Sequence, residues 1–168
     1  PQPSKLELEE LGFSVSELFA FYRSIILVEG HHEEIILNKL IGPELAEKRA
    51  RVLPYRGARH LSSAALDDLF DFSGSKFVVT ADNTRAEVFN QALTELRSPN
   101  LETDTGTQLD ELFADLTQEE HAIKSLLMKA HRSQKLDRIG SIVGLDAADI
   151  LDCLPVETFT EAGTWEEL

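Results

Sequence analysis

The chain has 168 residues and a formal net charge of −14, from 30 acidic and 16 basic side chains, an excess that argues against nonspecific grip on a phosphate backbone. Hydrophobic residues make up 42% of it, enough for one core, which excludes a wholly disordered acidic tail. One cysteine, Cys153, and no long apolar run exclude an intramolecular disulfide framework and a membrane span, and lead us to expect a reducing, cytoplasmic setting. The start, Pro1-Gln2-Pro3-Ser4, has no methionine and no signal-peptide pattern, so we expect a piece of a longer protein. Ser4–Phe21 reads as an amphipathic lead-in helix, with Leu6, Leu8, Leu11, Val15, Leu18 and Phe19 as its apolar residues. Ser24–Val28 is a mostly apolar run suited to a strand buried on both faces, ended by Gly30. His31–Ala50 reads as a helix with Ile36, Leu37, Leu40 and Ile41 as its stripe, and Pro43 is placed to interrupt it. Arg51–Tyr55 is a second short strand; Gly57 marks a turn, and Ser62 or Ser63 caps a helix through Leu66, Leu69 and Phe70. Lys76–Ala81 is a third buried strand, and Thr84–Arg97 a helix carrying Val88, Ala92, Leu93 and Leu96.

This β-α-β-α-β-α alternation predicts an α/β fold, a parallel sheet covered by helices over residues 24–98, following the lead-in of residues 1–23. Ser98–Gln108 breaks the rhythm as a polar linker with Pro99 and Gly106. Leu109–Leu136 is helical in pattern and makes residues 99–168 an added C-terminal helical segment. Asp146–Leu154 fits either a helix or a late strand near residues 149–154, and Thr158–Leu168 is an acidic tail.

In an open parallel sheet, ligands bind outside the carboxyl ends of the strands. Two strands here run into acids there: Ile25–Val28 into Glu29, and Phe77–Ala81 into Asp82. Glu33 follows Glu29 by four residues and precedes Ile36, Leu37 and Leu40 by three, four and seven, which puts it on the stripe that faces the sheet. Three converging carboxylates repel one another, and a hard divalent cation relieves that repulsion. Each acid alone also has a structural reading: a loop acid after a strand, or a glutamate favoured by the helix dipole.

The segment LFAFYRSIILVEGHHEEIIL, from Leu18 to Leu37, resembles the opening of the TOPRIM nuclease domain in the OLD (overcoming lysogenization defect) family, and VVTADNT is similar to that family's Asp-x-Asp strand end. The resemblance spans about residues 17–96. It implies a TOPRIM-like fold and a Mg²⁺- or Mn²⁺-dependent DNA endonuclease, usually following an ABC-type ATPase that lies outside this chain. Glu29, Glu33 and Asp82 match its metal-binding or acid–base positions. Thr84 stands where the motif has a second aspartate, so a two-metal arrangement loses a charged ligand there. His32 stands where a small hydroxyl residue is usual. The family's later acid and lysine have no matching motif; Lys129 and Lys135 are candidates by default.

Arg56, Arg59 and His60 follow the second strand and form the best basic patch near that edge. Arg85, just after the Asp motif, is a further candidate for a phosphate, or a surface residue paired with an acid. His31 and His32 are adjacent and diverge on a helix, which argues against zinc. No phosphate loop and no nucleophile elbow are present. The expected partners are DNA, held weakly by this piece alone, and the ATPase; no membrane is expected, and a homodimer is compatible. The rival reading is a degenerate TOPRIM module that binds a partner or assembles subunits without cleaving.

Overall fold

The computed structural model describes residues 21–56, 74–98 apart from Asn83, and 112–145. Its framework is a four-stranded, all-parallel sheet of β1 (Ser24–Val28), β2 (Ala50–Pro54), β3 (Lys76–Asp82) and β4 (Ile139–Leu145), ordered β2-β1-β3-β4. Three α-helices accompany it among the described residues: α1 (His31–Glu47), α2 (Ala86–Leu96) and α3 (Gln118–Arg132). The α/β fold expected from the alternation is therefore present, and the arrangement is consistent with a TOPRIM-like one.

Side-chain alternation divides the core into two layers. Ile25, Leu27, Phe77, Val79 and Ala81 pack with Phe89, Leu93, Ile123, Leu126 and Leu127 of α2 and α3. Val28, Ala50 and Val52 pack on the other face with Leu45 of α1 and the half-buried Ile26 and Leu37. Both faces are covered, which is why these strands read as nearly continuous apolar runs.

α1 departs from the expected stripe. Ile41 leaves helical geometry (φ −128°, ψ 20°) two residues before Pro43. Proline lacks the amide proton that would continue the ladder, and its ring displaces the carbonyl four residues earlier. Leu40 and Ile41 consequently lie exposed, and Leu45 beyond the kink fills the core position. α2 begins at Ala86 rather than Thr84, because Thr84 and Arg85 lie in the connection out of β3.

The segment after Asn100 is not only helical. A turn through Phe113–Asp115 precedes α3, a 3₁₀ turn (Leu136–Arg138) follows it, and β4 then joins the sheet beside β3. This fourth strand is absent from the sequence-based reading, since Ile139–Leu145 carries two glycines and alternates poorly. A register shift between Phe77 and Val78 passes over Gly140. Among the described strands β4 lies at the edge of the sheet, and α2 covers that edge: the Asn90 amide donates to the Ile142 carbonyl (2.7 Å) and accepts from the Ile142 N–H (2.9 Å). The lead-in helix before Phe21, the helix expected after Gly57, the linker after Ser98 and the late strand near 149–154 lie outside the described residues. No helix among the described residues is long and apolar enough to cross a membrane.

Gly144 of β4 lies against the backbone that leaves β3. A Cβ on it would overlap the Thr84 carbonyl oxygen and come within 3.3 Å of the Ala86 Cβ. We expect Gly144→Ala to destabilise the fold by about 1–3 kcal/mol, the usual cost of overpacking. A lowered urea midpoint checks this.

Candidate functional site

The strand order reverses between β1 and β3: the chain leaves β1 towards β2 on one side and returns to β3 on the other. That switch point leaves a crevice at the carboxyl edge, because the connections diverge to either side. The register pairs Leu27 with Val79, so Glu29 lies two residues beyond the pair on one strand and Asp82 three beyond on its neighbour. The two acids singled out by their strand ends thus flank the crevice.

Glu33 sits in the first turn of α1 and is buried. Its Oε2 accepts the Gly30 N–H at 3.0 Å, satisfying an amide that the helix start leaves open. This local bond holds the β1–α1 connection and leaves Oε1 for other partners.

A fourth acid comes from α3. Burial raises the Glu29 carboxyl above its ordinary pKa, and the negative charges of Glu119 and then Glu33 raise it further. Tyr55, buried at the end of β2, reports the same field. Burial first, then Glu29, Asp82, Glu33 and Glu119, push its phenol upward, so it stays protonated through neutral pH. Its hydroxyl donates to the Thr80 carbonyl (3.2 Å). Four carboxylates from four different places in the chain therefore act on one phenol at the crevice. The sequence reading missed Glu119 and Tyr55. Glu119 lies inside what reads as one long helix, and only the Thr117-x-x-Glu120 capping signature marks the true start.

The other expected residues fall as follows. Arg56 follows Tyr55, exposed and in the left-handed region (φ 59°), where the chain leaves the sheet edge. Arg59 lies outside the described residues. Arg85 is engaged with an acid: its Nε and backbone N–H reach Glu120 Oε1 (2.9 and 3.1 Å), and its Nη2 reaches Oε2 (2.9 Å). The Glu120 side chain is 1% exposed, and Oε2 also accepts the Thr117 N–H (3.0 Å). The Arg85 guanidinium beside it holds the Glu120 pKa down to about 2. This fork ties the loop after Asp82 to the turn that carries Glu119. Thr84 is buried, and its hydroxyl donates to the Asp82 carbonyl (3.0 Å), so it braces the loop. Among the described residues, no three His, Cys, Asp or Glu side chains are gathered tightly enough to hold a metal ion as they stand. The donor set at the crevice is all carboxylate oxygen, which suits a hard divalent cation, and Glu29, Glu33, Asp82 and Glu119 are the residues that would hold it.

No protein-family model matches this chain, and neither a curated protein nor a solved structure matches it.

Two measurements test this electrostatic arrangement. Glu120 has its folded pKa depressed from 4.5 to about 2, so its stabilising contribution is complete above 4.5 and is lost as pH falls towards 2. Wild type should lose stability across that window in acid titrations monitored by circular dichroism, and Glu120→Gln should lack that component. Separately, Glu119→Gln removes a negative charge acting on Glu29. The Glu29 carboxyl resonance should then titrate at lower pH by NMR; an unchanged midpoint would separate Glu119 from the cluster.

Proposed function

We propose that this domain hydrolyses phosphodiester bonds of DNA, as the Mg²⁺- or Mn²⁺-dependent nuclease part of an OLD-like protein whose ATPase lies outside this chain. The observation that carries the reading is the placement of Glu29 and Asp82 at adjacent carboxyl strand ends of the switch point, with the charges of Glu119 and Glu33 raising the Glu29 carboxyl beyond the effect of burial. The resemblance of Leu18–Leu37 to the OLD-family TOPRIM opening supports it. A cytoplasmic setting belongs to the same proposal.

The chemistry assigns roles to this chain's residues. A divalent cation, when bound, stabilises charge on phosphoryl oxygens and acidifies a water. Asp82 and Glu33 would hold it, with Glu119 closing the site from α3. Glu29 is suited to accept a proton from the attacking water, because its raised pKa brings it closer to neutral pH. Tyr55 keeps its proton, so it adds no fifth negative charge near the phosphate. Thr84 and the Arg85–Glu120 fork fix the backbone on which Asp82 and Glu119 stand.

A non-cleaving TOPRIM-type module that binds a partner is the second reading. It is favoured by Thr84, whose hydroxyl is spent on the Asp82 carbonyl where the family motif has a second carboxylate.

Nicking of supercoiled plasmid in Mn²⁺ decides between them. We expect wild type to nick, and Glu29→Ala to lose about 100-fold or more of the rate. Equal rates in both proteins would overturn the catalytic assignment. Mn²⁺ binding that Asp82→Ala abolishes, without nicking by wild type, would favour the non-cleaving module.

A further inference from the structure

The charge along α3 departs from that of the rest of the chain. From His121 to Leu136 the sequence carries Lys124, Lys129, Arg132 and Lys135 and no Asp or Glu. In a chain with 30 acids this is a marked segregation. Helical spacing turns part of it into a stripe, because positions three and four apart share a face. Ile123, Leu126, Leu127 and Ala130 face the core, and the opposite side lines a groove of about 470 Å³ with His121, Lys124, Ser125, Met128, Lys129 and Arg132.

The helix dipole accounts for only part of this. It favours cations in the last turn, where Lys129, His131 and Arg132 stand. Lys124 lies in the middle of the helix, beyond its reach. There its ammonium sits 4.9 Å from the centroid of the Phe113 ring, which holds it at the groove. Lys124 and Arg132 are eight residues apart, about 12 Å along the axis, far enough to meet different phosphates of one DNA strand. The same helix carries Glu119 in its first turn, towards the acid crevice.

We propose that the outer face of α3 grips the phosphate backbone of DNA and leads it along the helix towards the acid crevice. This inference rests on the nuclease reading. It supplies what that reading lacks: four carboxylates repel a polyanion, and Arg85 is already bound to Glu120. Phosphate contacts of this kind position a strand without reading its sequence.

The test measures binding of a short fluorescein-labelled DNA duplex of mixed sequence by anisotropy, in EDTA, across a salt series. EDTA removes divalent cations, so failure of the cleavage reading appears in the plasmid assay and not here. Lys124→Glu with Arg132→Glu is compared with Lys39→Glu with Lys48→Glu, exposed lysines of α1 and its C-cap that change net charge equally. We expect the α3 pair to weaken binding and to flatten the slope of log affinity against log salt by about 2, with the α1 pair near wild type. Lys124→Gln with Arg132→Gln gives the same flattening and covers the case in which charge reversal disturbs folding. No binding by wild type, equal loss in both pairs, or an unchanged slope in the α3 variants would overturn the proposal. Displacement of the DNA by polyglutamate as readily as by unlabelled DNA would overturn it too, assigning the face to an acidic protein segment.

Discussion

The carboxylate of Glu120 holds the working edge of this domain together. It is almost fully buried, and its two oxygens accept four hydrogen bonds, three from Arg85 and one from the Thr117 amide. A buried carboxylate is costly unless its acceptor capacity is filled, and here it is filled. The bonds come from two places far apart in sequence: the connection after β3 and the turn before α3. One side chain therefore sets the distance between the strand that ends in Asp82 and the helix whose first turn carries Glu119. Because Arg85 supplies its backbone N–H as well as its guanidinium, the bond fixes main chain, not only a flexible side chain.

Around that joint the sheet imposes its own constraint. Parallel strands deliver their following residues to one edge, and the reversal of order between β1 and β3 opens a crevice there. Below it lies a dry apolar layer of Leu27, Val79 and Ala81. Burial above such a floor raises Glu29 and Tyr55 first, and the neighbouring acids, poorly screened there, raise both further. Gly144 lets β4 approach the Thr84 backbone closely, and Thr84 in turn braces the Asp82 carbonyl. The acids are thus held by backbone-level contacts on three sides: Gly30 to Glu33, Thr84 to Asp82, and Glu120 to Arg85.

The net charge of −14 is unevenly distributed, and that unevenness matters more than its sum. Acids gather at the crevice, while the stretch from His121 to Leu136 has only cations among its charges. A helix with two acids in its first turn and three basic residues in its last is stabilised by its own dipole. The mid-helix Lys124 goes beyond that requirement, and the groove it lines lies opposite the face α3 buries.

Much of this was legible in the order of residues alone. Runs such as Ile25–Val28 and Phe77–Ala81 declare buried strands locally, the 3.6-residue period declares the helices, and their alternation declares a parallel sheet. Glu29, Glu33 and Asp82 followed from that, since a strand's last residue needs only the strand to be placed. Tertiary structure decided the remainder. Whether β4 exists depends on an open edge and on Asn90 to satisfy it, neither visible in seven residues containing two glycines. Glu119 and Tyr55 join the crevice only because α3 and β2 dock where they do. Arg85 reads equally as a phosphate ligand or as an acid's partner until Glu120, 35 residues away, is brought against it. Periodicity is a short-range property, carried by each segment's own burial; the meeting of distant side chains is fixed by packing between segments, which no single segment encodes.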